Sequence, residues 1–387
     1  MIESTLLVAL VASVALLVWT YFLYPAFLFV WVSLTSDTDR SEPDELPSVA
    51  LVIAAYNEEE VIAEKIENSL DLAYPDDRFS IVVFSDASSD RTDEIVRSYE
   101  SEGVKLIRIE GRVGKTECQN RVAERLDEEI IAFSDANSMY EPDAIMELVR
   151  GFDSEVGCVV GELKYRDSSD VEGESLYWKY ESAIKQLEST FHSTVAGNGA
   201  IYAVRNSSYV PLSRDTISDF AEPLAIVSNG EKAVYAKDAT AWESTAEQVE
   251  EELSRRSRIA TRSWHTIAKF SHLLNPVSYP LFSLQLFSHK ILRWLSPILL
   301  AGTIIANLGL VLVSPSPVYV VLLGAQILFY SLAAIGAVHD RMGLLNPIVT
   351  YVPYYFLTSN YGMLIGLWNF VVGQNIVTWD TATRKTN

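Results

Sequence analysis

From Ser4 to Ser36 no residue of this chain carries a charge. The apolar core of that stretch, Leu6 to Val32, is 27 residues of mostly Leu, Val, Ala, Phe, Trp and Tyr. A helix needs about 20 such residues to cross a bilayer. A secretory signal would want a basic start, a short core and a small-residue cleavage site. Here the start is not basic, the core is too long, and no clear cleavage site follows. Residues 1–36 therefore read as a retained transmembrane anchor.

The other end repeats the pattern. Trp294 to Val338 holds no acidic or basic side chain, and Ser314-Pro315-Ser316-Pro317 divides it into two halves of spanning length, a helical hairpin. A further uncharged stretch, Leu345 to Val372, is interrupted by Asn346, Pro347, Pro353 and Asn360. Pro-broken backbone survives in a membrane only where protein or a cavity covers it. Counting that stretch gives about three C-terminal spans over 294–375, with a tail over 376–387. Residues 266–293 read as interfacial helices, with Lys290 and Arg293 available for lipid headgroups. If the anchor leaves the middle of the chain inside, three further spans put Arg384 and Lys385 outside, against the positive-inside tendency. Either the last stretch is re-entrant or two charges are too few to decide.

The charge lies between these ends. The net charge is −21. Residues 1–33 hold one acid and residues 263–387 a net of four positive charges, so residues 34–262 carry −24. This balance excludes an ordinary nucleic-acid binder, which needs the opposite sign. With 49% hydrophobic residues, disorder is excluded as well.

From Pro47 short apolar runs alternate with amphipathic segments. Val49–Ala54, Ser80–Ser85, Val104–Ile109 and Glu129–Ser134 read as buried strands. Glu58–Leu72, Asp90–Tyr99 and Thr116–Leu126 read as helices between them. Such alternation implies an α/β fold with a mainly parallel sheet and helices on both faces. Ligands of such sheets bind at the carboxyl ends of the strands. Those ends read Ala55-Tyr56-Asn57-Glu58, Asp86-Ala87-Ser88-Ser89-Asp90, Gly111-Arg112-Val113-Gly114-Lys115 and Asp135-Ala136-Asn137. Together they offer a base-binding Asp, a Lys for a diphosphate, and an Asp/Asn pair whose oxygens suit a hard divalent cation. Each alone has a plainer reading; Asp90, for instance, equally suits a helix cap.

With these motifs the chain resembles the family 2 glycosyltransferases, which have the nucleotide-sugar-binding fold called GT-A. The resemblance covers about 45–265 and extends to the membrane tail. It points to the membrane-embedded group that includes hyaluronan, poly-N-acetylglucosamine and cellulose-type synthases. Asp86-Ala87-Ser88-Ser89-Asp90-Arg91-Thr92, Gly114-Lys115 with Asn120, Tyr177-Trp178-Lys179-Tyr180-Glu181, Gly197-Asn198-Gly199-Ala200-Ile201-Tyr202 and Ser218-Asp219 carry it further.

The resemblance implies that Ala55 and Glu58 line the nucleotide pocket, that Asp86 binds a uracil-type base and that Lys115 approaches the diphosphate. It implies that Asp135 and Asn137 hold Mg²⁺ or Mn²⁺, with Asn where the family's stronger ligand stands. Asp219 takes the place of the general base for single displacement with inversion. The processive motif Gln-x-x-Arg-Trp is imperfect: Arg258, Arg262 and Trp264 are present, but Ser263 separates Arg262 from Trp264 and the Gln is missing. Arg258 and Arg262, four apart on a helix face, either grip the diphosphate or bind headgroups at the membrane edge. Trp178 or Tyr180, and less strongly Trp242 and Glu243, are candidates for the acceptor side.

The expected protein is a multi-pass membrane glycosyltransferase whose catalytic domain faces the cytoplasm. Its partners are a nucleotide sugar, UDP-linked by expectation, a lipid-linked or glycan acceptor, and the bilayer, with no nucleic acid. One alternative is a processive polysaccharide synthase. Another is a non-catalytic nucleotide-binding membrane protein, which loss of Asp219 or Asp135 would have signalled. Five His residues form no ligand cluster, and Cys118 and Cys158 indicate no disulfide. The acidity of 34–262 suits a halophilic, high-salt cytoplasm.

Overall fold

The computed structural model describes residues 1–35, 45–165, 172–243 and 249–374, except the side chains of 172–177, 249–252, 254 and 255. Eight strands form one mixed sheet: β1 (Val49–Ala55), β2 (Phe79–Asp86), β3 (Lys105–Ile109), β4 (Ile130–Asp135), β5 (Met139–Tyr140), β6 (Val156–Tyr165), β7 (Tyr202–Arg205) and β8 (Lys232–Glu243). Their order is β3-β2-β1-β4-β7-β6-β8-β5. The half built from β1 to β4 is parallel. β7 runs antiparallel to both β4 and β6, and β8 returns parallel to β6 across a bulge.

Thirteen α-helices complete the described chain: α1 (Ile2–Val18), α2 (Tyr24–Thr35), α3 (Ile62–Leu70), α4 (Thr92–Ser98), α5 (Lys115–Ala123), α6 (Ala144–Val149), α7 (Glu172–Phe191), α8 (Ser218–Ser228), α9 (Val249–Lys269), α10 (Pro280–Leu286), α11 (Leu292–Val313), α12 (Pro317–Arg341) and α13 (Ile348–Val371).

β1 is an unbroken apolar run because both of its faces are covered. Val49, Leu51 and Ile53 pack with Ile62 and Ile66 of α3 and Leu148 of α6. Ala50, Val52 and Ala54 face the other way, toward Cys118 and Val122 of α5. β3, by contrast, leaves Lys105 and Arg108 exposed, as the edge strand of the sheet. The strand expectations hold to within a residue or two. The first helix starts at Ile62 rather than Glu58, because Asn57 has φ +53° and the Glu58 carbonyl accepts from Val61 and Ile62, closing a turn first.

Among the described residues, three helices are long and apolar enough to cross a membrane: Ile2–Thr35, Pro280–Val313 and Pro317–Arg341. Two of them contain a π turn, Trp19–Leu23 and Phe287–Ile291. Trp19 Nε1 donates to Ser288 Oγ at 2.9 Å, so the two turns meet.

Two membrane expectations change. Residues 280–313 form one continuous helix, and Arg293 is not at a headgroup. It is 4% exposed and paired with Glu181 of α7. His289 lies between Glu188, at 2.9 Å, and Glu181, at 3.3 Å, and the Tyr24 hydroxyl donates to Glu188 at 2.6 Å. Burial alone would raise the Glu181 carboxyl, but Arg293 and His289 hold it well below the usual range. The second change concerns the stretch 345–372: Pro353 does not break it, and α13 runs from Ile348 to Val371, packed along α12 and along α9. Gly362 and Gly366 allow that approach: a Cβ at Gly366 would lie 2.3 Å from the Ala260 Cβ. Arg256 of α9 donates to Ser359 and Tyr355 of α13.

Candidate active site

The carboxyl ends of β1, β2 and β4 meet the start of α5 and the start of α8. Ala55, at the end of β1, is fully buried. Glu58 follows in a turn whose amide donates to Thr92 Oγ1 at 2.8 Å. Asp90 caps α4, accepting from the Thr92 amide at 3.0 Å and from its hydroxyl at 2.6 Å, so the plainer reading of Asp90 is the one realised.

Asp86 is fully buried at the end of β2. Its carboxylate accepts from the Val113 amide (2.8 Å), the Gly114 amide (3.0 Å) and Arg112 Nη1 (3.0 Å). Arg112 also lies 3.2 Å from the centre of the Tyr56 ring. Asp86 thus shapes the loop that starts α5, and Arg112 lies between it and the Tyr56 ring.

Lys115 opens α5, where helix N-terminal amides favour an anion. Its ammonium pairs with Asp135 at the end of β4. Asn137 follows two residues on, and its side chain makes no hydrogen bond to any described residue. No cluster of three or more His, Cys, Asp or Glu side chains suited to a metal occurs among the described residues. One carboxylate and one amide oxygen across a turn, with a cation already on the carboxylate, fit a divalent ion whose other ligands come from a diphosphate.

Behind this turn Lys65 of α3 is fully buried. It donates to the Ser138 carbonyl at 2.5 Å and lies over the Tyr140 ring. Burial pulls its ammonium down to about 7. Ser138 Oγ in turn donates to Glu243 at 2.5 Å, and Trp242 to Glu141. Trp242 and Glu243 therefore brace the Asp135–Ser138 turn.

Asp219 sits in the first turn of α8, half-buried, with no hydrogen bond or ion pair from its carboxylate to any described residue. Its position follows from local chemistry. Pro223, four residues on, has no N–H, so the Asp219 carbonyl loses its helical partner. The Gly197 amide fills that place at 2.9 Å. A Cβ at Gly197 would meet the Asp219 carbonyl oxygen at 2.7 Å. Two residues further, a Cβ at Gly199 would meet Lys115 Nζ at 2.9 Å and Asp135 Oδ2 at 3.0 Å. Asn198 ties the loop down between them, donating to the Gly161 carbonyl at 2.8 Å. The three residues 197–199 thus separate the Lys115–Asp135 pair from Asp219.

Arg262 of α9 is 6% exposed, and burial lowers it to about 10. Its Nη2 donates to Thr116 Oγ1 at 3.2 Å and to the Thr216 carbonyl. It knits the start of α5 to the segment leading into Asp219, which removes the headgroup option for this residue. Arg258 lies half-buried one turn earlier, and its charge bears on Arg262. Trp264 is elsewhere, packed against Trp294 and Phe370 between α9, α11 and α13. Tyr180 is also displaced from the site: its hydroxyl donates to the Tyr21 carbonyl at 2.9 Å. Trp178 lines a cavity of about 250 Å³ beside Asp219. The side chain of Tyr177 lies outside the described residues.

Sequence reasoning missed the buried Glu222, one turn after Asp219. It is 1% exposed, neither oxygen has a partner among the described residues, and burial pushes it up to about 8. A glutamate directly before a proline in an otherwise apolar helix was the available signal.

Comparison with known proteins matches this geometry. The family model described as Glycosyl transferase family 2 matches residues 50–207. A probable glycosyltransferase of Bacillus subtilis, YdaM, is 32% identical over 163 residues, 38% of this chain and 39% of that one. A poly-beta-1,6-N-acetyl-D-glucosamine synthase of Staphylococcus epidermidis is 26% identical over 148 residues, 38% and 35% respectively. The chain thus spans well under half the length of these curated relatives. A mannosyltransferase of Pyrobaculum calidifontis, solved with GDP-Man and Mn²⁺, superimposes with a TM-score of 0.71 at 21% identity, over 94% of this chain and 99% of that one. It shows the same fold over nearly the whole of both chains. Residues 50–207 of this chain are a family 2 glycosyl transferase domain, set in a GT-A fold.

Proposed function

We propose that the protein is a membrane-bound inverting glycosyltransferase that moves a sugar from a nucleotide sugar to a lipid-linked or glycan acceptor. The observation that carries this reading is the 197–199 loop. It sets an anion-and-cation site, Lys115 with Asp135, close to the Asp219 carboxylate, which has no hydrogen bond or ion pair among the described residues and feels the charge of Arg262. Asp219 takes the proton of the acceptor hydroxyl as the hydroxyl attacks the anomeric carbon. Lys115 and the α5 amides hold the diphosphate as it leaves. Asp135 and Asn137 would hold a divalent cation, which supplies charge stabilisation to the leaving group when bound. Ala55, Glu58, Asp86, Arg112 and Tyr56 form the base pocket, and Arg258 and Arg262 keep the site cationic within an acidic domain.

The three apolar helices also propose a topology. The two crossings that follow the catalytic domain return the chain after Arg341 to the side of that domain. Leu345→Cys, at an exposed position between α12 and α13, should react with an impermeant maleimide only from the catalytic side. Cys118 and Cys158 are buried and add little background.

The test is incubation of purified protein in lipid with radiolabelled UDP- and GDP-sugars and extracted membrane lipids. Asp219→Asn should lower transfer by about 10²–10⁴-fold. Full transfer by Asp219→Asn would remove the assigned base, and product size separates single addition from a polymer.

A further inference from the structure

The cavity beside Asp219 lies where the catalytic domain meets the membrane helices. Phe220, Trp294 and Met363 give it apolar walls, and Arg256 and Lys290 give it two cations. Arg256 is held by Ser359 and Tyr355. Lys290 is different: it makes no hydrogen bond or ion pair to any described residue. Glu181 and Glu188, whose charges bear on Lys290, are already engaged, Glu181 by Arg293 and His289, and Glu188 by His289 and Tyr24, and Asp219 lines the same cavity.

The backbone shows how Lys290 reaches this place. It belongs to the π turn Phe287–Ile291, inside a helix long and apolar enough to span a membrane. The wider turn presents His289 to the two glutamates and Lys290 to the cavity. Such turns inside α-helices are common at functional sites. An ionisable side chain within a spanning helix is costly unless it has a partner or a task.

We infer that Lys290 binds the phosphate of the acceptor, and that the acceptor is a lipid whose headgroup carries phosphate beside the hydroxyl to be glycosylated. This deepens the transfer reading above and rests on it for the reaction. The phosphate lies against Lys290, with Arg256 on the α9 side. The first part of the lipid tail lies against Trp294 and Met363, and the acceptor hydroxyl points to Asp219.

The test reads binding without any nucleotide sugar, so it stands apart from the assay of transfer. The full chain is placed in phosphatidylcholine nanodiscs and titrated with dodecyl phosphate, dodecyl maltoside or inorganic phosphate. Tryptophan fluorescence is followed, because Trp178 and Trp294 line the cavity. Dodecyl phosphate should bind saturably, and at least tenfold more tightly than either of the other two. Lys290→Met should weaken it at least tenfold, equivalent to about 1.4 kcal/mol. Lys290→Arg should restore binding to within about threefold, which excludes general loss of fold. Lys232→Met, on an exposed pair with Glu155, controls for charge removal. Equal binding by the parent and Lys290→Met overturns the role of Lys290. Inorganic phosphate binding as tightly as dodecyl phosphate overturns the lipid, and dodecyl maltoside doing so overturns the phosphate.

Discussion

Gly197→Ala tests how the base is held. The added Cβ would lie 2.7 Å from the Asp219 carbonyl oxygen, on backbone that cannot swing aside. Even a favourable C–H···O approach needs about 3.3 Å, so the start of α8 and the 197–199 loop must part by about 0.6 Å. The Gly197 amide bond to that carbonyl, now 2.9 Å, then reaches about 3.5 Å and is lost. Pro223 cannot offer a replacement N–H, so a buried acceptor is left unpaired, at about 1–3 kcal/mol. A base misplaced by about 1 Å can cost about 10²-fold in rate. The assay is steady-state transfer with whichever UDP- or GDP-sugar the parent protein uses, with kcat and donor KM measured separately. We expect kcat to fall between about 10- and 100-fold with donor KM within about threefold, because Asp86, Lys115 and Asp135 are untouched. Adding Pro223→Ala should recover part of the loss, since residue 223 then supplies the missing donor. A parental kcat in Gly197→Ala, or a double variant worse than both singles multiplied, would refute this account of Asp219.

Three further outcomes are expected. Asn137→Asp adds a second anionic ligand at the proposed cation site and should tighten Mn²⁺ about tenfold or more in a metal titration of transfer; unchanged metal affinity would remove residue 137 from the site. Glu222 is held protonated by burial, with its folded value about 8 against an ordinary 4.5. The stability it allows is therefore complete below about pH 4.5 and is lost as pH rises to about 8, so Glu222→Gln should flatten the fall in melting temperature between pH 5 and pH 9; parallel curves for parent and variant would sink this reading. The acidic body should lose melting temperature steeply below about 0.1 M salt, where screening over about 10 Å is lost; a salt-independent melting point would argue against a high-salt origin.

The parallel half was legible because its strands are unbroken apolar runs and its helices carry one apolar face. β6, β7 and β8 were not, since β7 is short and its placement depends on pairing with both β4 and β6. The candidate site was legible as a set of strand ends, because strand direction in a parallel sheet forces those ends together. What each residue touches was less so. That the Asp86 carboxylate is filled by the 112–114 loop depends on Gly114 at φ +97° and Arg112 at φ +50°, a backbone path no pattern announces. Arg293 looked like a headgroup residue because its partner, Glu181, stands 112 residues away in sequence. Gly197 and Pro223 were each visible as special residues, but only the fold shows one supplying the hydrogen bond that the other removes.

α9 explains why the Arg/Trp motif departs from the processive pattern without losing its site. Successive residues on a helix are about 100° apart, so positions two apart lie about 200° apart on its surface. Arg256, Ala260 and Ser263 form one stripe, facing the cavity, with Arg256 and Ala260 also against α13. Arg258, Arg262 and Thr266 form a second stripe. From it Arg262 holds the Thr216 carbonyl, and Thr266 Oγ1 accepts from the Ile217 amide at 3.3 Å. Asp219 follows directly. Trp264 falls between the stripes and packs on Trp294 and Phe370. Moving the tryptophan next to Arg262, as the processive motif has it, would take this anchor out of its aromatic packing. The extra Ser263 therefore keeps Trp264 in its aromatic packing while Arg262 reaches the segment that leads into Asp219 and Arg256 and Ala260 meet α13.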